Sequence, residues 1–324
     1  MAEMTYADAA KLALQQEMVR DPTVWALGED LGPAGGIGGQ YRGLQKEFGG
    51  RRILDTPISE STIMGAGVGA AIAGTRPVVE LRYTDFAICA TDEIVNQAAK
   101  IRYMFNGQAR VPVVIRQPMG ARWGYAAQHS QSLEAWWVHI PGLVVVAPST
   151  PADNHAFLKA AIRCDDPVIY LEHKELWGMK GEVDPGAGPA EMGRAEIVTA
   201  GNDLTIVTWS SMRFACAKAA EDLQKRSIGA EVIDLRTLWP WDRETVQASV
   251  AKTGRLLVVH ESVRAGGFGA EIAAELGEAL WGKLRAPIRR IGQERVPMPY
   301  SKPLEAQFRI TPDLITAAAT SVVA

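Results

Sequence analysis

Residues Ile53 to Gly74, ILDTPISESTIMGAGVGAAIAG, decide how this chain is read. The lead-in Arg52-Ile53-Leu54 reads as a strand, and Pro57 cannot donate to a ladder, so the strand stops at Asp55-Thr56-Pro57. Glu60 follows on the connection. Beyond it Gly65, Ala66, Gly67, Gly69, Ala70, Ala71, Ala73 and Gly74 make a run of small residues. Glycine disfavours a helix by about 1 kcal/mol relative to alanine. Three glycines within five positions therefore mark a helix whose backbone comes close to a neighbour. A carboxylate just before such a helix is held rigidly at the edge of a packed interface. On composition alone it would be a solvated loop acid.

Outward from this stretch, the 324 residues suffice for two domains with cores of their own. Apolar residues make up 47% and charged residues 22%, the balance of an ordinary globular protein. A formal net charge of −3 gives no electrostatic case for nucleic acid or an anionic membrane as partner. Cys89, Cys164 and Cys216 are too few and too scattered for a disulfide framework or a zinc site, which implies a reducing compartment. The N-terminal MAEMTYADAAKLALQQEMVR lacks a basic-then-apolar signal pattern, and the apolar runs are too short to span a membrane. The expectation is a cytoplasmic protein.

Thr5 with Asp8 reads as a cap opening a helix that ends near Arg20-Asp21-Pro22. A strand at Val24 to Leu27 runs into a glycine-rich loop, Gly28 to Gly43. Pro77 to Tyr83 reads as a strand, and Thr91 to Phe105 as a helix with the stripe Ile94, Val95, Ala98, Ile101 and Phe105. VPVVIR (Val111 to Arg116) and LVVVA (Leu143 to Ala147) are continuous apolar runs, the mark of parallel strands buried on both faces. Thr150-Pro151-Ala152-Asp153 opens a helix to about Arg163, and a strand follows at Val168 to Glu172. Residues 178–193, GMKGEVDPGAGPAEMG, read as a connection. The β-then-α rhythm restarts after it, with strands at Leu204 to Trp209, Ala230 to Leu235, Arg255 to His260 and Ile288 to Ile291. The expected organisation is two α/β domains with parallel sheets, residues 1–177 and 194–324, joined by that linker.

Gly65-Ala66-Gly67-Val68-Gly69-Ala70 formally fits a dinucleotide fingerprint. SESTIM separates it from the strand, however, and Glu80 arrives after only ten residues, so close packing is the better reading. Gly266-Gly267-Phe268-Gly269 opens a helix and reads either as an anion site or as a tight turn. His129-Ser130-Gln131 lies on a Gly/Ala-rich loop after a buried strand, where α/β sheets place their sites; a lone histidine is otherwise a structural residue. His260-Glu261 at a strand end reads as structural. No Gly-Asp-Gly segment followed by Asn is present to hold a magnesium diphosphate.

DTPISES with its small-residue helix, PVVELRYTDF, NQAAKIRYMF, VPVVIR, AAQHSQ, IPGLVVVAPSTP and DLRTLWP occur together and in order. From about Tyr6 to Leu314 the chain resembles the beta subunit of the decarboxylating first component of 2-oxo acid dehydrogenase complexes. The resemblance implies a thiamine diphosphate pyrimidine-binding domain followed by a transketolase C-terminal-type domain. It makes Glu60 the carboxylate on ring nitrogen N1′ of the aminopyrimidine, with Ile58, Phe86 and Arg82 at the cofactor and Phe86 against its ring. His129 becomes the histidine that orients substrate and the incoming lipoyl group. Val113, Ala161, Ile162, Cys164 and Asp166 fall where related subunits hold potassium, largely through carbonyls. The missing diphosphate element implies a separate alpha subunit that carries the Mg2+ ligands, an α2β2 heterotetramer, and inactivity of this chain alone. The second domain is implied to dock on the dihydrolipoyl acyltransferase core.

Some positions depart from the family pattern. Arg82 stands where an uncharged residue is usual and, four residues before Phe86, shares its face if the strand runs that far. Cys164 replaces a usual Asp, Arg295 stands where Asp is common, and Trp123 and Tyr125 make the loop before His129 bulky. Pyruvate is the first substrate reading, with acetoin close behind on EHKELWGMKGEV and a branched-chain 2-oxo acid third. From other classes, a nicotinamide-dependent oxidoreductase needs a working fingerprint at Gly65 or Gly267, and a non-catalytic scaffold needs only the C-terminal domain.

Overall fold

A computed structural model describes residues 1–324. The chain forms two compact units, Met1–Met119 with Trp136–Met192, and Gly120–Ala135 with Gly193–Ala324. Strands of the first unit are β1 (Ala2–Thr5), β2 (Val24–Gly28), β3 (Ile53–Asp55), β4 (Arg76–Glu80), β5 (Val114–Met119), β6 (Val144–Val146), β7 (Val168–His173) and β8 (Lys180–Val183). Helices up to Arg163 are α1 (Tyr6–Arg20), α2 (Leu44–Phe48), α3 (Glu60–Ile72), α4 (Thr84–Ala87), α5 (Ala99–Met104), α6 (Glu134–Val138) and α7 (Pro151–Arg163). Six of these strands pair in parallel in the order β6-β7-β5-β4-β2-β3. Every residue of β5 and β7 is buried, as strands covered on both faces must be.

Local chemistry accounts for the helices. Thr5 caps α1 by accepting from the Asp8 amide at 3.0 Å, and Thr150 and Asp153 cap α7 reciprocally with Pro151 in the first turn. Each such cap contributes about 1 kcal/mol. In α3 the apolar face, Ile63, Met64, Gly67, Val68 and Ala71, is buried, while Gly65, Ala66 and Gly69 face outward. A Cβ on Gly67 would sit 2.5 Å from Val79 Cγ2 of β4, so the helix lies against the sheet at a distance only glycine permits. Close packing, one of the readings of the glycine run, is what this position does.

Several local expectations differ from the fold. Strand β4 ends at Glu80, and the chain turns at Arg82, whose φ is +26°. Arg82 and Phe86 therefore share no strand face; Phe86 lies in α4. The stretch read as one helix from Thr91 follows a 3-10 turn (Ile88–Ala90) and passes through a π-helical turn (Glu93–Ala98) into α5, and Phe105 is exposed while Ile94, Ala98 and Ile101 are buried. Within residues 178–193, β8 pairs antiparallel with β1, Lys180 opposite Thr5.

Beneath the sheet's C-terminal edge lies a buried ionic knot. Arg116 of β5 is fully buried and donates to Glu172 of β7 at 2.8 Å, with Glu80 of β4 3.7 Å away. Tyr41 donates to Glu80 at 2.9 Å, and Asn154 donates to Glu172 at 3.0 Å. Burial pushes the Glu80 carboxyl up to about 7, against the pull of Arg116.

The second unit holds β9 (Glu196–Thr199), β10 (Leu204–Thr208), β11 (Ala230–Asp234), β12 (Thr237–Trp239), β13 (Leu256–Val263) and β14 (Arg289–Gln293). Its helices are α8 (Met212–Gln224), α9 (Arg243–Thr253), α10 (Gly269–Ala279), α11 (Lys302–Phe308) and α12 (Pro312–Val323). The sheet order is β14-β13-β10-β11-β9, parallel except for the edge strand β9, which runs antiparallel to β11. Buried His260 stacks on Trp209 at 5.2 Å, and a Cβ on Gly267 or Gly269 would lie 2.7 Å from its ring. The Gly266–Gly269 turn thus makes room for an imidazole.

Two outcomes are expected. Gly67→Leu forces α3 off Val79 and destabilises by about 1–3 kcal/mol, whereas Gly69→Ala, with nothing within 4 Å of the new Cβ, stabilises by up to about 1 kcal/mol. Urea unfolding of the purified chain distinguishes them. Glu80 keeps in the fold a proton that the unfolded chain releases near 4.5, so its contribution to stability falls as pH rises from about 4.5 to about 7 and is level above that. Glu80→Gln is expected to flatten that slope in urea midpoints taken across the window.

Candidate active site

In the first unit the chain enters the sheet at β2, adds β3 on one side and then β4 on the other. Connections leaving β2 and β4 therefore diverge, and such a switch point opens a crevice beyond the C-terminal strand ends. Glu29 and Asp30 follow β2, Glu60 follows β3, and Arg82 follows β4. The sheet order gathers all four at one edge.

Glu60 lies in the first turn of α3, where the helix dipole favours an anion. It was expected on the connection; the helix starts early enough to include it. The side chain is half-buried, and no donor of its own chain hydrogen-bonds its carboxylate. Glu29 is held above the ordinary carboxylate range, chiefly by burial and then by the Glu60 charge. Arg82 opposes this: its guanidinium pairs with Asp30 and lies 4.0 Å from Glu29. Both Arg82 and Asp30 have positive φ, +26° and +59°; an Asp tolerates the left-handed region, whereas an Arg enters it less often. The ion pair joins the two turns.

Phe86 is half-buried in α4 against Tyr83, ring centroids 5.5 Å apart, and Ile58 is 79% exposed. A carboxylate without an intrachain donor at a helix start, the Phe86 ring and an exposed apolar residue fit an aminopyrimidine, which offers a ring nitrogen able to share a proton with a carboxyl group and two flat faces. Glu29 and Asp30 escaped the sequence reading, although Gly28-Glu29-Asp30 directly after a strand was a usable signal.

His129 belongs to the segment grouped with the second unit, in a 3-10 turn over Ala127–His129. It is half-buried, with Tyr125 edge-on at 6.5 Å.

The proposed potassium ligands lie together in the first unit, but their oxygens are in use. Arg76 Nη1 donates to the Ile162 carbonyl at 3.1 Å and to the Cys164 carbonyl at 2.9 Å, and Arg76 Nη2 pairs with Asp165 at 2.7 Å. Asp166 pairs with Arg102. Val113 and Ala161 are buried, and Cys164 is a free thiol whose pKa burial raises. A guanidinium already supplies the positive charge at two of these carbonyls, so the set as it stands does not fit a potassium ion.

No helix of the chain is long and apolar enough to cross a membrane. Residues 2–179 match the transketolase pyrimidine-binding domain family, and residues 193–315 match the transketolase C-terminal domain family. The chain is 42% identical to the 2-oxoisovalerate dehydrogenase subunit beta of Bacillus subtilis, over 98% of each chain. It is 46% identical to the beta subunit of an acetoin:2,6-dichlorophenolindophenol oxidoreductase from Cupriavidus necator, over 95% of this chain and 94% of that one. Identity is 45% to a mitochondrial pyruvate dehydrogenase E1 component subunit beta-1 of Arabidopsis thaliana, over 94% and 85%. A split-gene transketolase solved as an inactive beta4 tetramer shares the fold, with a TM-score of 0.80 and 24% identity over 99% and 98% of the two chains. Two transketolase-type α/β domains, an acid-lined switch point and near full-length relatives of three substrate classes lead to one assignment: this chain belongs to the beta subunits of thiamine-diphosphate-dependent 2-oxo acid dehydrogenases.

Proposed function

We propose that this chain, with an alpha subunit in an α2β2 assembly, carries out the oxidative decarboxylation of pyruvate and passes the acyl group to lipoamide. The single observation that carries the reading is Glu60, a half-buried acid with no intrachain donor at the start of α3, beside a Glu29 held above its usual range. Thiamine diphosphate, when bound, supplies the carbon nucleophile and the electron sink for loss of CO2. Glu60 then holds a proton at ring nitrogen N1′, general acid–base help typically worth about 10²–10⁴-fold. Phe86 and Ile58 bound the ring, and Arg82, held by Asp30, keeps a cation at the acidic edge. His129 orients the substrate and the lipoyl arm.

The diphosphate and Mg2+ fall to the alpha subunit, because no Gly-Asp-Gly…Asn element occurs in this sequence. The outward face of α3, with Gly65, Ala66 and Gly69, offers the close approach that such a subunit contact needs. The second domain would dock on the acyltransferase core. Acetoin is the second reading and a branched-chain 2-oxo acid the third, favoured by the relatives that carry those names.

Reconstitution with the alpha subunit and a three-substrate comparison tests the assignment: pyruvate is expected to give the highest kcat/KM. Glu60→Ala should lower turnover by about 10²–10⁴-fold while the tetramer still forms; retained turnover would refute the role. The chain alone, given cofactor and Mg2+, is expected to be inactive. With Arg76 on the carbonyls, its melting temperature should be the same in KCl and NaCl at equal ionic strength, and a rise specific to KCl would restore the potassium site.

A further inference from the structure

The loop bearing His129 is tied at both limbs to the second unit's own switch point. In that sheet β10 is flanked by β11 on one side and β13 on the other, so the chain ends after β10 and β13 diverge. Glu261, on β13, receives the Ala121 amide on Oε1 at 3.2 Å and the Ser132 hydroxyl on Oε2 at 3.3 Å. One carboxylate thus bridges residues on either side of His129. Across the base of the same loop, the Gly120 amide donates to the Gln131 carbonyl at 2.9 Å.

Two further anchors act beside it. Glu305 of α11, fully buried, receives the Gly124 amide at 2.9 Å, and its other oxygen pairs with Arg309 at 2.5 Å. The Arg309 guanidinium lies 3.9 Å from the Trp123 ring centroid, which pins the outer limb. Downstream, Trp209 at the end of β10 donates to buried Glu134 at 3.1 Å. Between these anchors Ala126 takes φ +59° and ψ −163°, a conformation open mainly to glycine, immediately before the His129 turn. A free loop would relax it. Backbone amides of Ala121 and Gly124 bonded to carboxylates hold the limb before the strained turn, and the Ser132 hydroxyl bonded to Glu261 holds the limb after it.

We propose that Glu261 is a positioning residue for His129: by joining Ala121 to Ser132 it sets the direction of the imidazole, with Glu305 holding the outer limb. This rests on His129 being an active-site residue. Glu261 touches no substrate; it acts through the loop.

A double-mutant cycle in the reconstituted α2β2 enzyme tests this, with kcat and KM for the 2-oxo acid and for lipoamide. Glu261→Ala is expected to lower kcat/KM roughly tenfold to 100-fold, the scale of a misplacement of about 1 Å. Glu261→Gln, which keeps an acceptor for Ala121, should restore most of the activity. Ser132→Ala removes one bond and no charge, folds readily, and should cost a few-fold (about 2- to 5-fold). In a His129→Ala background neither substitution should lower turnover further, because coupled residues are not additive. If Glu261→Ala does not assemble, Ser132→Ala in the two backgrounds decides alone. Equal effects of either substitution with and without His129 would overturn the positioning role, as would wild-type kinetics of Ser132→Ala. If His129→Ala itself keeps full turnover, the reading of His129 fails and the clamp with it; loss in His129→Ala without coupling refutes the clamp alone.

Discussion

Contact between α3 and β4 is the constraint from which the first unit's chemistry follows. Gly67 leaves no room for a side chain against Val79, so the helix axis is set by backbone-to-sheet contact. Ile63, Met64 and Val68 are buried on the same face, each contributing on the order of 1.5–3 kcal/mol. A helix fixed so closely fixes its first turn as well. Glu60 therefore keeps a defined place beside the ends of β2 and β4, which a loop carboxylate would not. The acid–base role proposed for Glu60 needs that definition, since such help depends on hydrogen-bond reach.

Charge is organised in two tiers around that edge. The inner tier is Arg116 with Glu172 and Glu80, buried in the sheet and closed by Tyr41 and Asn154. Such a knot ties β4, β5 and β7 together, and removing Arg116 or Glu172 would leave the other as an uncompensated buried charge. The outer tier is Glu29, Asp30, Arg82 and Glu60, partly open to water. Arg82, itself at positive φ, offsets the mutual repulsion of the acids.

In the second unit the same logic appears without a cofactor. His260, pushed down to about 4 by burial, is neutral in the fold, stacked on Trp209 and bonded to Ser262 at 2.8 Å. Trp209 in turn reaches Glu134 at the foot of the His129 loop. A packed aromatic core and three carboxylates thus convert a Gly/Ala-rich segment, flexible by composition, into a single arrangement.

Much of this was legible in the residues. Continuous apolar runs gave the buried strands, Thr5-Asp8 and Thr150-Asp153 gave the helix starts, and the β-then-α rhythm gave two parallel sheets, because periodicity and capping are local properties that few neighbours can override. The glycines of α3 announced a close approach without naming Val79 as its partner. Where the reading failed, a distant contact had prevailed. Arg82 leaves the strand to meet Asp30, and β8 forms inside the supposed linker because β1 is there to pair with it; Phe105, by contrast, lies just past the end of α5 and so stays outside although its spacing fits the buried stripe. Which acids meet at one edge, and which unit holds the His129 loop, depends on the order in which strands lie side by side. That order is settled by packing between segments far apart in the chain, and so only the tertiary structure decides it.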